Sequence, residues 1–305
     1  MTEHVIEAHG LVKKYGRLRA LDGLDLTVDA GEVRGFLGPN GAGKSTTIRA
    51  LLGQLRLDGG VARLFGHDAW SEAMAIHPRI AYVPGDVALW PQLTGGEALS
   101  LLGTVQGRPD VKRRSELIER FEFDPTKRIR TYSKGNRQKT ALIAALASDA
   151  DLFLLDEPTS GLDPLMESVF QDCVREIAHS GRTVLLSSHI LGEVEALCEK
   201  VSIIRSGRIV LEGTLDELRH SVRVTFTATT ATELDLNAVP GSEVVDRSRA
   251  DAGFRVSFTV GHADVAAAVR AVDAARPSAL TVEPPSLGAL FLANYRTQGS
   301  QEYVA

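Results

Sequence analysis

Short apolar runs alternate with segments of helical apolar spacing through about the first 220 residues of the chain. Short continuous runs are typical of strands buried in a parallel sheet, whereas apolar residues three or four apart predict helices. After short strands and turns in 1–35, the sequence predicts strands at 61–65, 80–83, 151–155, 183–187 and 201–204. It predicts helices at 44–53, 93–105, 113–121, 134–147, 165–179 and 191–200. This alternation indicates an α/β fold with a largely parallel sheet.

The pattern changes near residue 221. Thr214 and Glu217 have the spacing of a capping box, which opens a last short helix ending near His220. Beyond it the sequence predicts strands at 222–229, 254–260 and 280–283, a helix at 263–275, and an apolar helical stripe of Leu287, Leu290, Phe291 and Tyr295. We therefore predict two domains, residues 1–221 and a small α+β domain at 222–305.

Composition excludes several classes of protein. A hydrophobic content of 44% argues against disorder, and a net charge of -5 argues against a basic surface that coats nucleic acid. No apolar run approaches the roughly 18 residues of a membrane-spanning helix, and the N-terminus lacks the pattern of a signal peptide. We expect a soluble intracellular chain without a nucleic-acid partner. Cys173 and Cys198 are too few for a disulfide framework and are interpreted as two buried thiols.

A glycine-rich loop carries the first chemical signal. The segment from Gly38 to Ser45, Gly-Pro-Asn-Gly-Ala-Gly-Lys-Ser, matches the phosphate-loop pattern between a predicted strand and a predicted helix. Glycines let successive backbone N–H groups and a helix N-terminus point at anionic oxygens. In this arrangement Lys44 reaches the β- and γ-phosphates, and the Ser45 hydroxyl is a ligand for Mg²⁺.

Two adjacent carboxylates carry the second signal. Asp156 and Glu157 follow the apolar run Leu152–Leu155, at the strand end where side chains enter a ligand crevice. We expect Asp156 to hold Mg²⁺ directly or through water, and Glu157 to polarise the water that attacks the terminal phosphate. A phosphate loop together with this pair predicts nucleotide hydrolysis.

With these two motifs and those that follow, residues 1–220 resemble the nucleotide-binding subunit of an ABC transporter. The segment Tyr132-Ser-Lys-Gly-Asn-Arg-Gln138 occupies the place of the family's signature, and Ser160-Gly-Leu-Asp163 matches the loop after the second Walker motif. His189 matches the switch histidine, and Tyr15 the aromatic residue that stacks on adenine. Together, the form of the signature and the run 156–164 look most like ATPases of drug- and antibiotic-export systems, whose C-terminal appendix resembles 222–305.

The resemblance implies a P-loop ATPase domain with an inserted helical subdomain at about 86–150. Two such domains would enclose ATP head to tail, with the signature of one protomer on the γ-phosphate bound by the other. The implied catalytic residues are Glu157, His189 and Lys44. The implied nucleotide contacts are Tyr15, Gly38, Pro39, Asn40, Gly41, Ala42, Gly43, Lys44, Ser45, Thr46, Ser133, Lys134, Gly135, Asn136 and Asp163. The implied cofactors are ATP and Mg²⁺, and the implied location is the cytoplasmic face of the membrane.

Two positions depart from the family pattern. Gly85 and Asp86 stand where the family has a glutamine, so either Asp86 ligates Mg²⁺ with Ser45 and Asp156, or that contact is lost. Lys134 replaces the first glycine of the signature, and it either adds a cation near the partner-bound triphosphate or is a solvated lysine in a first helical turn.

The function that the resemblance implies is ATP-driven export of a drug or antibiotic through a separately encoded permease. Ser133 is also predicted to cap a helix, which fits a signature whose free N–H groups meet a phosphate. A soluble ATP-switched factor without a permease and an importer ATPase remain as alternatives.

Overall fold

The structure is a computed structural model of the 305-residue chain, and it describes residues 4–105, 110–220, 223–236, 239–250 and 253–283. The chain divides into two compact units, one ending at Gly213 and the other beginning at Thr214. The domain boundary predicted after residue 221 lies at the end of the short helix that opens the second unit. The helical stripe predicted from Leu287 to Tyr295 lies outside the described residues.

In chain order the strands of the described residues are β1 (His4–Tyr15), β2 (Leu18–Asp29), β3 (Val33–Leu37), β4 (Gly59–Leu64), β5 (His67–Asp68), β6 (Ile80–Val83), β7 (Leu152–Asp156), β8 (Thr183–Ser188), β9 (Lys200–Arg205), β10 (Arg208–Thr214), β11 (Val224–Thr230), β12 (Glu243–Ala250), β13 (Gly253–Val260) and β14 (Pro277–Glu283). The helices are α1 (Lys44–Leu51), α2 (Ala73–Ile76), α3 (Gly95–Val105), α4 (Val111–Arg120), α5 (Lys134–Leu146), α6 (Pro164–His179), α7 (Leu191–Leu197), α8 (Leu215–His220) and α9 (Val265–Ala274).

A six-stranded sheet of order β10-β9-β3-β8-β7-β6 forms the centre of the first unit. The neighbouring pairs from β9 to β6 are parallel, which confirms the predicted α/β fold. Every residue of β3, β7 and β8 is buried, as is typical of strands that are covered on both faces of a parallel sheet. The carboxyl ends of these three strands therefore meet at one edge of the sheet.

A second, antiparallel sheet of order β2-β1-β4-β5 corrects one prediction. The sequence predicts short strands in 1–35, but β1 and β2 are each 12 residues long and pair along their length. Their register shifts next to Gly10 and Gly23, which both have positive φ. Glycine bulges keep the ladder continuous where the sequence pattern is interrupted.

The second unit is a four-stranded antiparallel sheet of order β12-β13-β11-β14 with α9 contributing to its core. Buried and half-buried residues alternate along β11, and Phe226 stacks on Phe258 with ring centroids 5.2 Å apart. Thr214 and Glu217 bond reciprocally at the start of α8, with the Thr214 N–H 2.8 Å from a Glu217 carboxylate oxygen, which confirms the capping box.

The two cysteines are free and buried, as the sequence analysis expects. Burial raises the pKa of the Cys173 thiol to about 11 and also raises the pKa of the Cys198 thiol. None of the helices in the described part of the chain combines the length and apolar character that a membrane crossing requires.

Candidate active site

The phosphate loop leaves β3 and leads directly into α1, as predicted. Gly43 takes φ +115 before Lys44, and a Cβ there would lie 2.7 Å from the carbonyl oxygen of Ala20. A side chain would thus be strained in conformation and would also collide with backbone. The glycine allows α1 to begin at the loop, where its first N–H groups have no intrahelical acceptor and can bind an anion.

Glu157 lies between Lys44 and His189. Its Oε1 is 3.3 Å from Nζ of Lys44 and 3.3 Å from Nδ1 of His189. The structure thereby brings together the three residues that the sequence analysis assigns to catalysis. Glu157 also has φ +47, and its N–H donates to the backbone oxygen of Ser187 at 3.1 Å. Left-handed backbone at a non-glycine residue is uncommon and concentrates at functional sites.

Lys44 is nearly completely buried, with 4% of its surface exposed. Its ammonium donates to the carbonyl oxygens of Gly38 at 2.7 Å and Pro39 at 3.1 Å. The phosphate loop therefore holds its own lysine beside Glu157, with the charge fixed by two backbone acceptors. A cation held this way is positioned for phosphate at little further cost in side-chain entropy.

Asp156 ends β7 as a buried carboxylate. Ser187 Oγ, at the end of the neighbouring strand β8, donates to its Oδ1 at 2.5 Å. Gly85 lies on the other side, where a Cβ would be 3.7 Å from Oδ2. Burial, and after it the charge of Asp156, raises the pKa of the Tyr82 phenol to about 12, so this hydroxyl stays protonated. A side chain at position 85 would contact Oδ2, so the glycine leaves that oxygen without a side-chain neighbour at this position.

A cavity of about 420 Å³ adjoins Lys44 and Glu157. Its lining includes the predicted residues Tyr15, Asn40, Gly41, Gly43, Lys44, Ser45, Thr46 and Glu157. Tyr15 is half exposed, with the ammonium of Lys13 5.6 Å from its ring centroid. The remaining predicted loop residues, Gly38, Pro39 and Ala42, are not part of the lining: Pro39 is half-buried, Ala42 is buried, and a Cβ on Gly38 would meet the backbone of Ile204 at 2.5 Å. An aromatic ring at one end and a phosphate loop at the other fit a nucleotide.

The predicted signature residues form a separate cluster. Ser133 caps α5, since its Oγ accepts a hydrogen bond from the N–H of Asn136 at 3.2 Å, which confirms the predicted cap. Lys134 Nζ donates to Oγ of Ser160 at 2.6 Å. A Cβ on Gly135 would lie 2.4 Å from the backbone oxygen of Gly161, so only glycine permits this approach. The signature therefore packs against the loop that follows β7.

Asp163 and Asp86 lie away from the cavity lining. Asp163 caps α6 by accepting from the N–H of Met166 at 3.0 Å. Asp86 is exposed, one residue after the glycine that faces Asp156. Its assignment as a metal ligand stays a prediction.

Sequence reasoning missed several residues of the site. The cavity lining also includes Leu18, Arg19, Ala20 and Ser206, which come from β2 and the turn after β9. Ser187, which bonds to Asp156, was also missed. Its sequence position could have indicated this contact, because a hydroxyl near the end of one buried strand can donate to a carboxylate at the end of the neighbouring strand. No local sequence pattern marks the four residues of the cavity lining, Leu18, Arg19, Ala20 and Ser206, which reach the cavity only through tertiary packing.

Comparisons with known proteins agree with this geometry. A family model described as "ABC transporter" matches residues 21–160. The daunorubicin/doxorubicin resistance ATP-binding protein DrrA of Streptomyces peucetius is 44% identical over 71% of this chain and 67% of that protein. The Nod factor export ATP-binding protein I of Ralstonia nicotianae is 36% identical over 70% of this chain and 68% of that protein. A solved structure of an ATP-binding subunit of an ABC transporter superposes with a TM-score of 0.66 at 31% identity, over 70% of this chain and 92% of that one.

Proposed function

The chain belongs to the ABC transporter family of ATP-binding proteins, and on this premise we propose that it is the ATPase subunit that powers export through a separate membrane permease. As a member of that family it binds and hydrolyses ATP. The observation that carries the proposal is the placement of Glu157 between Lys44 and His189, beside a cavity lined by Tyr15 and the phosphate loop.

For hydrolysis, we assign Glu157 to the attacking water. Its carboxylate takes a proton from that water as the water oxygen bonds to the γ-phosphorus, and the bond from the γ-phosphorus to the ADP oxygen breaks with its electron pair leaving on ADP. Lys44 and the N–H groups at the start of α1 stabilise the negative charge on the phosphate oxygens. His189 contacts Glu157 at 3.3 Å, and in this proposal it donates a hydrogen bond to the γ-phosphate.

The residues around Asp156 fit a magnesium ion. The carboxylate of Asp156 and the hydroxyl of Ser45 are the hard oxygen donors that Mg²⁺ prefers, and the ion would neutralise charge on the β- and γ-phosphates. Within the described residues no group of three or more acidic, histidine or cysteine side chains forms a metal site. The fit therefore calls for phosphate oxygens and water as the remaining ligands, which is the usual coordination of Mg²⁺ beside a nucleotide.

We further propose a symmetric dimer that closes on two ATP molecules. Ser133, Lys134, Gly135 and Asn136 lie at the exposed N-terminal end of α5, away from the cavity of their own chain. The N–H groups of Lys134 and Gly135, in the first turn of this helix, are suited to the γ-phosphate of a second copy. Because every copy carries both the cavity beside Lys44 and this helix end, two identical contacts would satisfy both copies.

Lys134→Ala tests the role of the unusual lysine in this dimer. The change removes a cation from the proposed interface and also the bond to Ser160. We expect ATP-dependent dimerisation, followed by analytical ultracentrifugation in a hydrolysis-deficient background, to require about 3- to 10-fold more ATP, since an ionic hydrogen bond contributes about 1 kcal/mol or more.

Lys112→Ala is the matched control, because it removes an exposed lysine from α4. If Lys134→Ala dimerises with the same ATP dependence as this control, the proposed contact with triphosphate is wrong. The lysine would then be a solvated residue of the first turn of α5.

The proposed cargo is a drug or antibiotic, and the proposed location is the cytoplasmic face of the membrane. The relatives named for drug resistance and for Nod factor export support an export role but differ in their cargo. Deletion of the gene is expected to raise the cellular accumulation of daunorubicin, measured by its fluorescence. The tagged protein is expected to copurify from detergent-solubilised membranes with a multispanning protein.

Two results would contradict this part of the proposal. Purification from ribosomes or DNA without any multispanning protein would favour a soluble ATP-switched factor. Unchanged accumulation of daunorubicin, together with reduced uptake of a nutrient, would favour an importer. Neither result would affect the assignment of the hydrolysis site.

A further inference from the structure

Glu193 is a buried carboxylate on α7 that belongs to none of the motifs described above. Only 7% of its surface is exposed. An ionised group at this depth is costly unless hydrogen bonds replace its water. Its partners are therefore informative about why an acidic residue lies there.

Both oxygens of the carboxylate accept a hydrogen bond from a buried hydroxyl. Thr159 Oγ1 donates to Oε1, and Ser188 Oγ donates to Oε2. Thr159 is 6% exposed and Ser188 is 1% exposed, so both bonds are sheltered from water. Hydrogen bonds to a charged acceptor are stronger than neutral ones, and a low local dielectric strengthens them further.

The two hydroxyls belong to the two segments that carry the reacting groups. Thr159 is two residues after Glu157, and Ser188 is the residue before His189. Ser188 is held from other sides as well, since its Oγ accepts from the N–H of Ile190 at 2.9 Å and its backbone oxygen accepts from the N–H of Gly38 at 3.2 Å. One side chain thus links the loop after β7 to the end of β8, which itself bonds to the first residue of the phosphate loop.

We propose that Glu193 is a positioning residue for hydrolysis, which fixes the spacing between Glu157 and His189 through Thr159 and Ser188. The inference rests on the proposed roles of Glu157 and His189 at the γ-phosphate. It follows from geometry, because the 3.3 Å contact between those two side chains depends on two segments that are distant in sequence. Small errors in the placement of a reacting group lower the rate more than they lower substrate binding.

Steady-state ATP hydrolysis by the full chain tests the proposal with Glu193→Leu and Glu193→Gln. The leucine variant removes both acceptors, and we expect kcat to fall roughly 10- to 100-fold while KM for ATP changes less than about twofold. The glutamine variant keeps the shape and one acceptor oxygen, so its kcat is expected to lie between those of the leucine variant and the unaltered protein. Glu199→Gln, at an exposed position just after α7, is the matched control with unchanged kcat.

Thr159→Val removes the hydroxyl that donates to Glu193, and it tests the same contact if Glu193→Leu folds poorly. We expect it to lower kcat with little change in KM, and the double variant with Glu193→Leu to be no slower than the slower single variant. Equal changes in kcat and KM, or additive losses in the double variant, would indicate a general structural role and overturn the proposal.

Glu157→Gln, measured alongside, distinguishes a failure of the proposed role of Glu157 from a failure of the proposed role of Glu193. If it hydrolyses ATP normally, the proposed role of Glu157 is wrong and the positioning inference is lost with it. If it is inactive while Glu193→Leu keeps a normal kcat, the positioning inference alone is wrong.

Discussion

Glu157→Gln is expected to abolish ATP turnover while ATP binding is retained. The amide keeps the size of the side chain but is a poor acceptor for the proton of an attacking water, so kcat should fall by about 10²- to 10⁴-fold. The phosphate loop and Tyr15 are unchanged, and the dissociation constant for ATP should therefore remain within a few-fold of its original value. Phosphate release measures the first quantity, and equilibrium binding of a fluorescent ATP analogue measures the second.

Glu167→Gln is the control for this substitution. Glu167 lies in the first turn of α6, and burial, followed by the nearby charges of Glu193 and Asp163, raises its pKa. It is close in sequence to the site, but among the described residues it forms no hydrogen bond or ion pair with Lys44 or His189. Turnover by Glu157→Gln equal to that of the control would remove Glu157 as the water-orienting residue.

Lys44→Ala is expected to lose ATP binding as well as turnover. The ammonium is buried and held by two backbone carbonyls, so its charge is available to phosphate without reorganisation. Removing a charge-assisted hydrogen bond of this kind costs about 1.5–3 kcal/mol, which corresponds to roughly a 10- to 150-fold weaker affinity for ATP. Isothermal titration calorimetry with ATP and ADP checks the expectation directly.

Lys200→Ala controls for the loss of a paired lysine elsewhere in the same unit. Lys200 lies on β9 and bonds to Asp29 and Glu32, away from the lining of the cavity. We expect it to bind ATP normally. Normal affinity in Lys44→Ala, with a circular dichroism spectrum like that of the control, would contradict the assignment of the loop as the phosphate site.

The central elements could be predicted because their signals are local. The apolar run of β7, the glycines before Lys44 and the capping box at Thr214 each depend on a few neighbouring residues. The positions of Glu157 and His189 also follow, since they come directly after strands whose carboxyl ends share one edge of the sheet.

The edge strands could not be predicted from the same kind of signal. The described side chains of β12, from Glu243 to Arg249, are all exposed, and its sequence is mostly polar. It is a strand because β13 offers a row of backbone partners, which no local pattern reveals. β10 is likewise an edge strand with exposed and half-buried residues in alternation.

The hydrogen-bond network of Glu193 was unpredictable for a related reason. Nothing in the sequence around it distinguishes a buried acidic residue of α7 from an exposed one. Its function depends on Thr159 and Ser188, which the fold brings to the same point from two different segments. Such a residue can be found only after the strands have been placed.

The burial of both native thiols makes this chain a convenient background for site-directed labelling. Burial raises the pKa of both thiols, so at pH 7 neither is largely in the reactive thiolate form, and both are sheltered from reagents in water. Maleimide dyes and spin labels should therefore react with a newly introduced surface cysteine in preference to either. Distances between two labelled copies could then be followed through a cycle of nucleotide binding and release without first removing the natural cysteines.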